Sequence, residues 1–342
     1  MTMERTRLTQ SSRFVLRSAV PAICVTLCML GAGVPAHAAP QYTTFDPPGS
    51  IDTAAISINA TGAITGNYEV SNEVYHAYVR AADGTITTFD PAESTYTTAL
   101  SINAQGAITG YYTDSNGVYH GYVRESDGTI TTFDPPGSTF TLPVSINAGG
   151  AIAGEYEDSN RVSHGFLRAA DGTITSIDVP GAADTEGASI NAKGAIAGYY
   201  NESHALSQGF VRAADGSFTT FDVPGSAETD AVSINSTGAI TGTYQDSNLK
   251  VIHGYVRAAD GTITKFGRAT YPLSINGKGA ITGYYWETRI QHGFVRAADG
   301  KTTTFDPPGS TSTSPSSINT QGAIAGSYKD SNGVEHGFLR SR

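Results

Sequence analysis

Histidine, arginine and carboxylate recur along this chain at fixed intervals, and each type in such a pattern has a chemistry it could perform. His76, His120, His164, His253, His292 and His336 occupy one repeated position, with Gln208 in the remaining copy. Imidazoles spaced this way suggest metal ligands or a ring of identical sites. A zinc ion needs three or four ligands at about 2 Å, whereas here a whole repeat separates each histidine from the next. The pattern favours a local role: a histidine that opens a strand and bonds a Ser or Asp of its own repeat, a bond Gln208 can also make. Arg80, Arg124, Arg168, Arg212, Arg257, Arg296 and Arg340 close the same strands. They invite an anion-site reading, but an Asp follows nearly all of them closely, as Asp83 follows Arg80. Pairing across that turn, or with the Asp ending the next strand, is expected instead. The Asp-Ser-Asn segments at Asp114, Asp246 and Asp330 resemble calcium loops only faintly, since no bidentate acid completes the cage.

A single site in a repetitive chain must show as a break in the pattern, and two breaks stand out. Asp184 with Glu186, and Glu228 with Asp230, sit at the same offsets before two successive Ser-Ile-Asn triplets, where no other repeat carries a pair of acids. Four acids at a channel mouth could bind a cation or a basic ligand. They could also supply the paired carboxylates of a glycosidase, whose separations run roughly 5 to 9 Å, or simply be solvated. The second break is Trp286, the only tryptophan, with Tyr271 entering the same repeat. Exposed, the two could stack on a sugar ring; buried, they would fill a gap left by a shortened repeat. The chain has no Gly-x-Ser-x-Gly elbow, no His-Glu-x-x-His and no phosphate-cradling loop. No catalytic set, cofactor or metal site is expected.

The elements that must position these residues come from the repeat itself. Ser-Ile-Asn begins at Ser57, Ser101, Ser145, Ser189, Ser233, Ser274 and Ser317, a period of 44 residues four times, then 41, then 43. Each copy holds four short apolar or β-branched runs, such as 144–147, 151–156, 162–168 and 173–178, separated by Gly, Asn, Asp and Pro. Seven four-stranded units predict an all-β, seven-bladed β-propeller. Tyr42-Thr-Thr-Phe45 is a fourth run with no repeat before it, and His336–Arg340 is a third run with no fourth after it. The first is therefore expected to complete the last blade and close the ring. The winding places Ser-Ile-Asn innermost and Thr-Phe-Asp outermost, with the Asp-Pro-Pro-Gly crossings and Asp-Ser-Asn hairpins on one face.

Residues 1–38 read as an export signal, with Arg5, Arg7, Arg13 and Arg17 before an apolar run and Ala36-His37-Ala38 before the cleavage point. The domain proper is expected to be 39–342, periplasmic or secreted, with no membrane insertion and a monomeric state. Both cysteines, Cys24 and Cys28, lie in the leader, which leaves no thiol chemistry to the rest. The formal charge of −10 and the dispersed arginines argue against nucleic acid.

Three recurring segments, Ser-Ile-Asn-x-x-Gly-x-Ile-x-Gly-x-Tyr, Asp-Ser-Asn-Gly-Val-x-His-Gly-Phe and Thr-Thr-Phe-Asp-Pro-Pro-Gly, resemble the HAF family of probable extracellular repeats over residues 42–340. The resemblance implies an exported bacterial repeat protein and carries no activity with it. The expected function is a non-catalytic scaffold that binds an extracellular glycan or protein through one propeller face. The alternative is a carbohydrate-active lyase or hydrolase, with the acids above as its carboxylates. A purely structural surface role is a third possibility.

Overall fold

The repeat length is what one four-stranded sheet needs. In the first complete unit Asp52–Ile58 runs into an Asn-Ala-Thr-Gly turn, Ile64–Ser71 returns, Val74–Arg80 reverses again and Ile86–Phe89 ends the blade. The four pair antiparallel in that order. A computed structural model, which describes residues 39–71, 73–202, 206–248 and 251–341, repeats this sheet seven times. The described residues from 39 onward thus form a seven-bladed β-propeller without helices, as the repeat predicts. Blades 1 to 6 span 52–89, 96–133, 140–177, 184–221, 226–266 and 270–305; blade 7 combines 312–340 with 42–45. The proposed leader and both cysteines lie outside the described residues.

Closure follows the expected permutation. Tyr42–Phe45 pairs with Glu335–Arg340, Tyr42 opposite Arg340 and Phe45 opposite Gly337. This leaves no three-stranded blade with an open outer edge. His336 Nδ1 and Asp46 share a 2.8 Å hydrogen bond across the same junction.

Ser-Ile-Asn is invariant because it joins blades. Each asparagine Nδ2 donates to the backbone carbonyl of the next blade's asparagine, from Asn59 to Asn103 at 3.0 Å onward to Asn319 and back to Asn59. Its Oδ1 meanwhile accepts two backbone N–H groups of its own turn, as Asn103 does from Gln105 and Ala107. Each serine hydroxyl accepts the isoleucine N–H of the following blade, Ser57 from Ile102 and Ser317 from Ile58. The isoleucines are buried and ring the channel, bounding a cavity of about 290 Å³ on the face that carries these turns.

The other repeated residues have equally local reasons. At Gly198 a Cβ would run into the Glu186 carbonyl and the Phe210 ring, so the second strand needs glycine where it crosses under the third-strand aromatic. At Gly209 a Cβ would stand 2.6 Å from the Phe221 ring, and only blade 1 carries a Cβ at this position, as Ala77. The Asp-Pro-Pro-Gly crossing is a tight turn, with Ser138 N donating to Pro135 O at 3.1 Å and Gly137 at φ +82°.

Five of the six histidines bond the Asp that ends their blade's fourth strand through Nδ1, from 2.7 Å for His120–Asp134 to 3.0 Å for His164–Asp178. His253 bonds the Gly267 carbonyl instead, because blade 5 lacks that Asp. A second-strand tyrosine packs on each of these rings, as Tyr112 does on His120 at 5.1 Å. Where Gln208 replaces histidine, Tyr200 donates to its Oε1 at 2.6 Å.

The arginines depart from expectation. Among the described residues none forms an ion pair with a carboxylate within 4.0 Å. Instead six guanidinium groups lie over the fourth-strand phenylalanine of the preceding blade, Arg124 over Phe89 at 4.7 Å and Arg80 over Phe45 at 5.0 Å across the closure. Burial between two sheets favours the weakly hydrated guanidinium on an aromatic face over an exposed ion pair. The Asp of the following turn, such as Asp83, is occupied by the Thr85 N–H at 2.9 Å.

Candidate ligand-binding site

Strand 1 starts, strand 2 ends, strand 3 starts and strand 4 ends on one face of the ring, which therefore carries both the crossings and the longer hairpins. Side chains there differ from blade to blade while the staples beneath stay constant. The Asp-Ser-Asn hairpins on this face are closed turns: Asp114 Oδ1 accepts Asn116 N at 2.8 Å and Val118 N at 2.9 Å, and Asp330 does the same for Asn332 and Val334. No group of three or more His, Cys, Asp or Glu able to hold a metal ion occurs among the described residues.

The four acids singled out in the sequence serve separate contacts rather than one cluster. Asp184 accepts the Ser163 N–H of blade 3 at 3.0 Å, just as Asp52 accepts the Glu335 N–H of blade 7 at 2.6 Å. Asp230 is held by Ser207 Oγ at 2.5 Å and Thr243 Oγ1 at 3.4 Å, and burial raises its pKa. Glu228 is opposite Gln245 on the sheet; burial and then the Asp230 charge raise its pKa. Glu186 faces Tyr199 across the strand pair and reaches Glu155 of blade 3.

Glu155 is the acid that sequence reasoning missed. It is largely buried, and desolvation, the Glu186 charge and a side-chain hydrogen bond with Glu186 push its pKa up to about 8. The two strands approach closely here because position 187 is glycine where the other blades have Ala or Pro; a Cβ would stand 2.9 Å from the Gly154 carbonyl. Two carboxyl groups in contact hold one proton between them near neutral pH. A signal was available: the residue between Gly and Tyr of the second strand reads Asn67, Tyr111, Glu155, Tyr199, Thr243, Tyr284 and Ser327, with one acid.

Tyr271 and Trp286 do come together. With Gln245, Ile252, Arg268 and Ala269 they line a cleft of about 530 Å³ between blades 5 and 6. Trp286 is 45 % exposed and so does not fill the gap of the short repeat. Tyr284 stacks on Tyr271 at 4.8 Å and meets Trp286 edge-on at 6.4 Å, which fixes the indole from one side.

Two truncated loops account for this opening. The crossing into blade 6 reads Gly267-Arg268-Ala269 in place of Asp-Pro-Pro-Gly, and Ala269 takes φ +50° to make the shorter path. The blade 6 hairpin turns on Thr288 and Arg289 alone, both at positive φ, where blades 2, 3, 5 and 7 use Asp-Ser-Asn segments. The indole thus rises beside loops too short to cover it.

Other features of the surface are occupied or lack an aromatic. Tyr75, Tyr96, Tyr111, Tyr119 and Phe140 form an unbroken run of rings over blades 1 to 3, with centroids 4.9 to 5.9 Å apart. They pack on one another and so act as the blade-to-blade contact. On the opposite face, Lys278, Lys301 and Arg340 line a cleft of about 390 Å³ between blades 6 and 7.

No family model and no curated protein matches this chain. Solved propellers do. The β-propeller domain of the Trilobed protease from Pyrococcus furiosus matches with a TM-score of 0.61 at 9 % identity, over 84 % of this chain and 95 % of that one. That propeller is described as having an open velcro topology, whereas here Tyr42–Phe45 completes blade 7. Puromycin hydrolase matches at 0.58 and 11 % identity over 85 % of this chain, and TolB from Acinetobacter baumannii at 0.54 and 15 % over 72 %. The chain spans 55 % of the hydrolase and 63 % of that TolB. At these identities the likeness concerns the fold.

Proposed function

We propose that the protein is an exported, non-catalytic propeller that binds an extracellular glycan in the cleft between blades 5 and 6. The observation that carries this reading is Trp286, half-exposed at a cleft of about 530 Å³ whose wall includes Tyr271. An indole face offers a pyranose ring apolar area, while Gln245 supplies hydrogen bonds to hydroxyls at the ring edge. Export rests on the leader-like residues 1–38, and the thiol-free remainder suits that destination. The purified protein, applied to a glycan array beside the Trp286→Ala variant, should retain a defined set of sugars that the variant loses. Identical blank arrays from both would remove the reading.

The enzymatic alternative has one observation in its favour, the Glu155–Glu186 pair, because a carboxyl near pKa 8 can donate a proton at neutral pH. The pair lies between packed blades, away from the cleft lining. Turnover of a polysaccharide by the wild-type protein, lost in Glu155→Gln, would favour that alternative.

A further inference from the structure

We infer that the cleft between blades 5 and 6 selects acidic glycans, those bearing uronate-type carboxylates, with Arg268 as the group that recognises the charge. This deepens the glycan reading and rests on it. Three observations converge on one residue. First, Arg268 stands in the one crossing that does not begin with Asp; at the positions equivalent to Gly267 and Arg268 the other crossings place an acid and a proline or valine. Secondly, it lines the same cleft wall as Tyr271 and Trp286.

Thirdly, its guanidinium has no hydrogen-bond or ion-pair partner among the described residues, and only its backbone carbonyl is engaged, by Thr270 Oγ1 at 3.1 Å. The repeat arginines, by contrast, are spent on phenylalanine rings. A guanidinium that borders an aromatic-walled cleft and has its donors free is matched by a planar carboxylate, which it can grip with two parallel N–H···O bonds. A hexuronate supplies that carboxylate on the same ring whose face stacks on an indole. Among the described residues no carboxylate lines the cleft wall to repel it. The protein's overall charge of −10 opposes non-specific binding of a polyanion, which leaves the cleft of Lys278 and Lys301 as the competing cationic place.

Calorimetric titration of the full protein with an oligogalacturonate and with a neutral cello-oligosaccharide of equal length tests the inference. The uronate should bind about tenfold more tightly at low salt, one charge-assisted contact's worth, and the preference should shrink as salt rises to about 0.5 M. Arg268→Gln should erase the preference and leave the affinity for the neutral sugar, while Trp286→Ala should weaken both. Matching melting curves would establish that each variant is folded. Equal binding of the two sugars, unchanged in Arg268→Gln, would overturn the acidic selectivity and leave the glycan site standing. Loss of the preference through Lys278→Gln with Lys301→Gln, rather than Arg268→Gln, would overturn the assigned residue. Binding of neither sugar would count against selectivity for uronates, and the blank array described above would be the separate failure of the glycan reading.

Discussion

Asn319 in the last blade donates from Nδ2 to the backbone carbonyl of Asn59 in the first, at 3.1 Å, and is buried to 4 % exposure. The bond is chemically the same as the other six of its ring, yet it spans 260 residues of sequence. A closed propeller has to make this contact, and an open stack of the same repeats would have nothing at its end to receive it.

Removing residues 39–49, with the strand Tyr42–Phe45 among them, should therefore destabilise the whole ring. The deletion withdraws Phe45 from beneath Arg80 and Asp46 from His336, and it exposes the outer edge of blade 7. Calorimetry should show a lower and broader transition than in the intact protein. The point variant Asn319→Ala should cost about 1 to 3 kcal/mol, because it leaves a buried carbonyl and two turn N–H groups without their partner.

The arginine ring predicts a difference between blades. Arg124 covers Phe89 at 4.7 Å, whereas the residue in blade 3 that corresponds to Phe89, and so faces Arg212, is Ile177. Arg124→Ala should lose about 0.5 to 2 kcal/mol more than Arg212→Ala in chemical denaturation. A double-mutant cycle with Phe89→Leu should recover most of that difference as a coupling energy.

Much of this was legible in the sequence, and the limits have a physical cause. Strand count, turn chemistry, closure and the histidine role all depend on contacts within a repeat or on an unmatched run, which spacing displays. The partners of Arg124 and Glu186 lie in the neighbouring blade, 35 and 31 residues away, where ring geometry selects them and hairpin adjacency gives no hint. For that reason Asp127 looked like the natural partner of Arg124, and Glu155 escaped notice. Trp286 was visible as a break in pattern, but the cleft beside it depends on two short loops whose joint effect appears only when blades 5 and 6 stand side by side.

Stability should fall as the pH rises. Glu155 has a folded pKa near 8, against the ordinary 4.5 that the unfolded chain would show. Between those values the folded state holds a proton the unfolded state lacks, so the stabilisation is complete below about pH 4.5 and is lost as pH approaches and passes 8. The groups facing Glu155 are Glu186 and Glu157, with Tyr199 and Asp230 beyond Glu186, and none is a cation. Denaturation across that window should show a decline of several kcal/mol. Glu155→Gln should flatten this part of the profile, and an unchanged slope would place its origin elsewhere.

Sugar binding at Trp286 has a direct optical test, since it is the only tryptophan in the chain. Intrinsic fluorescence, titrated with a soluble acidic oligosaccharide, reads this one residue. A saturable change in intensity with a blue shift is expected, as the sugar displaces water from the indole, whose residue is 45 % exposed. An emission spectrum that stays constant while the same sugar binds by calorimetry would locate the ligand elsewhere on the ring and contradict the account.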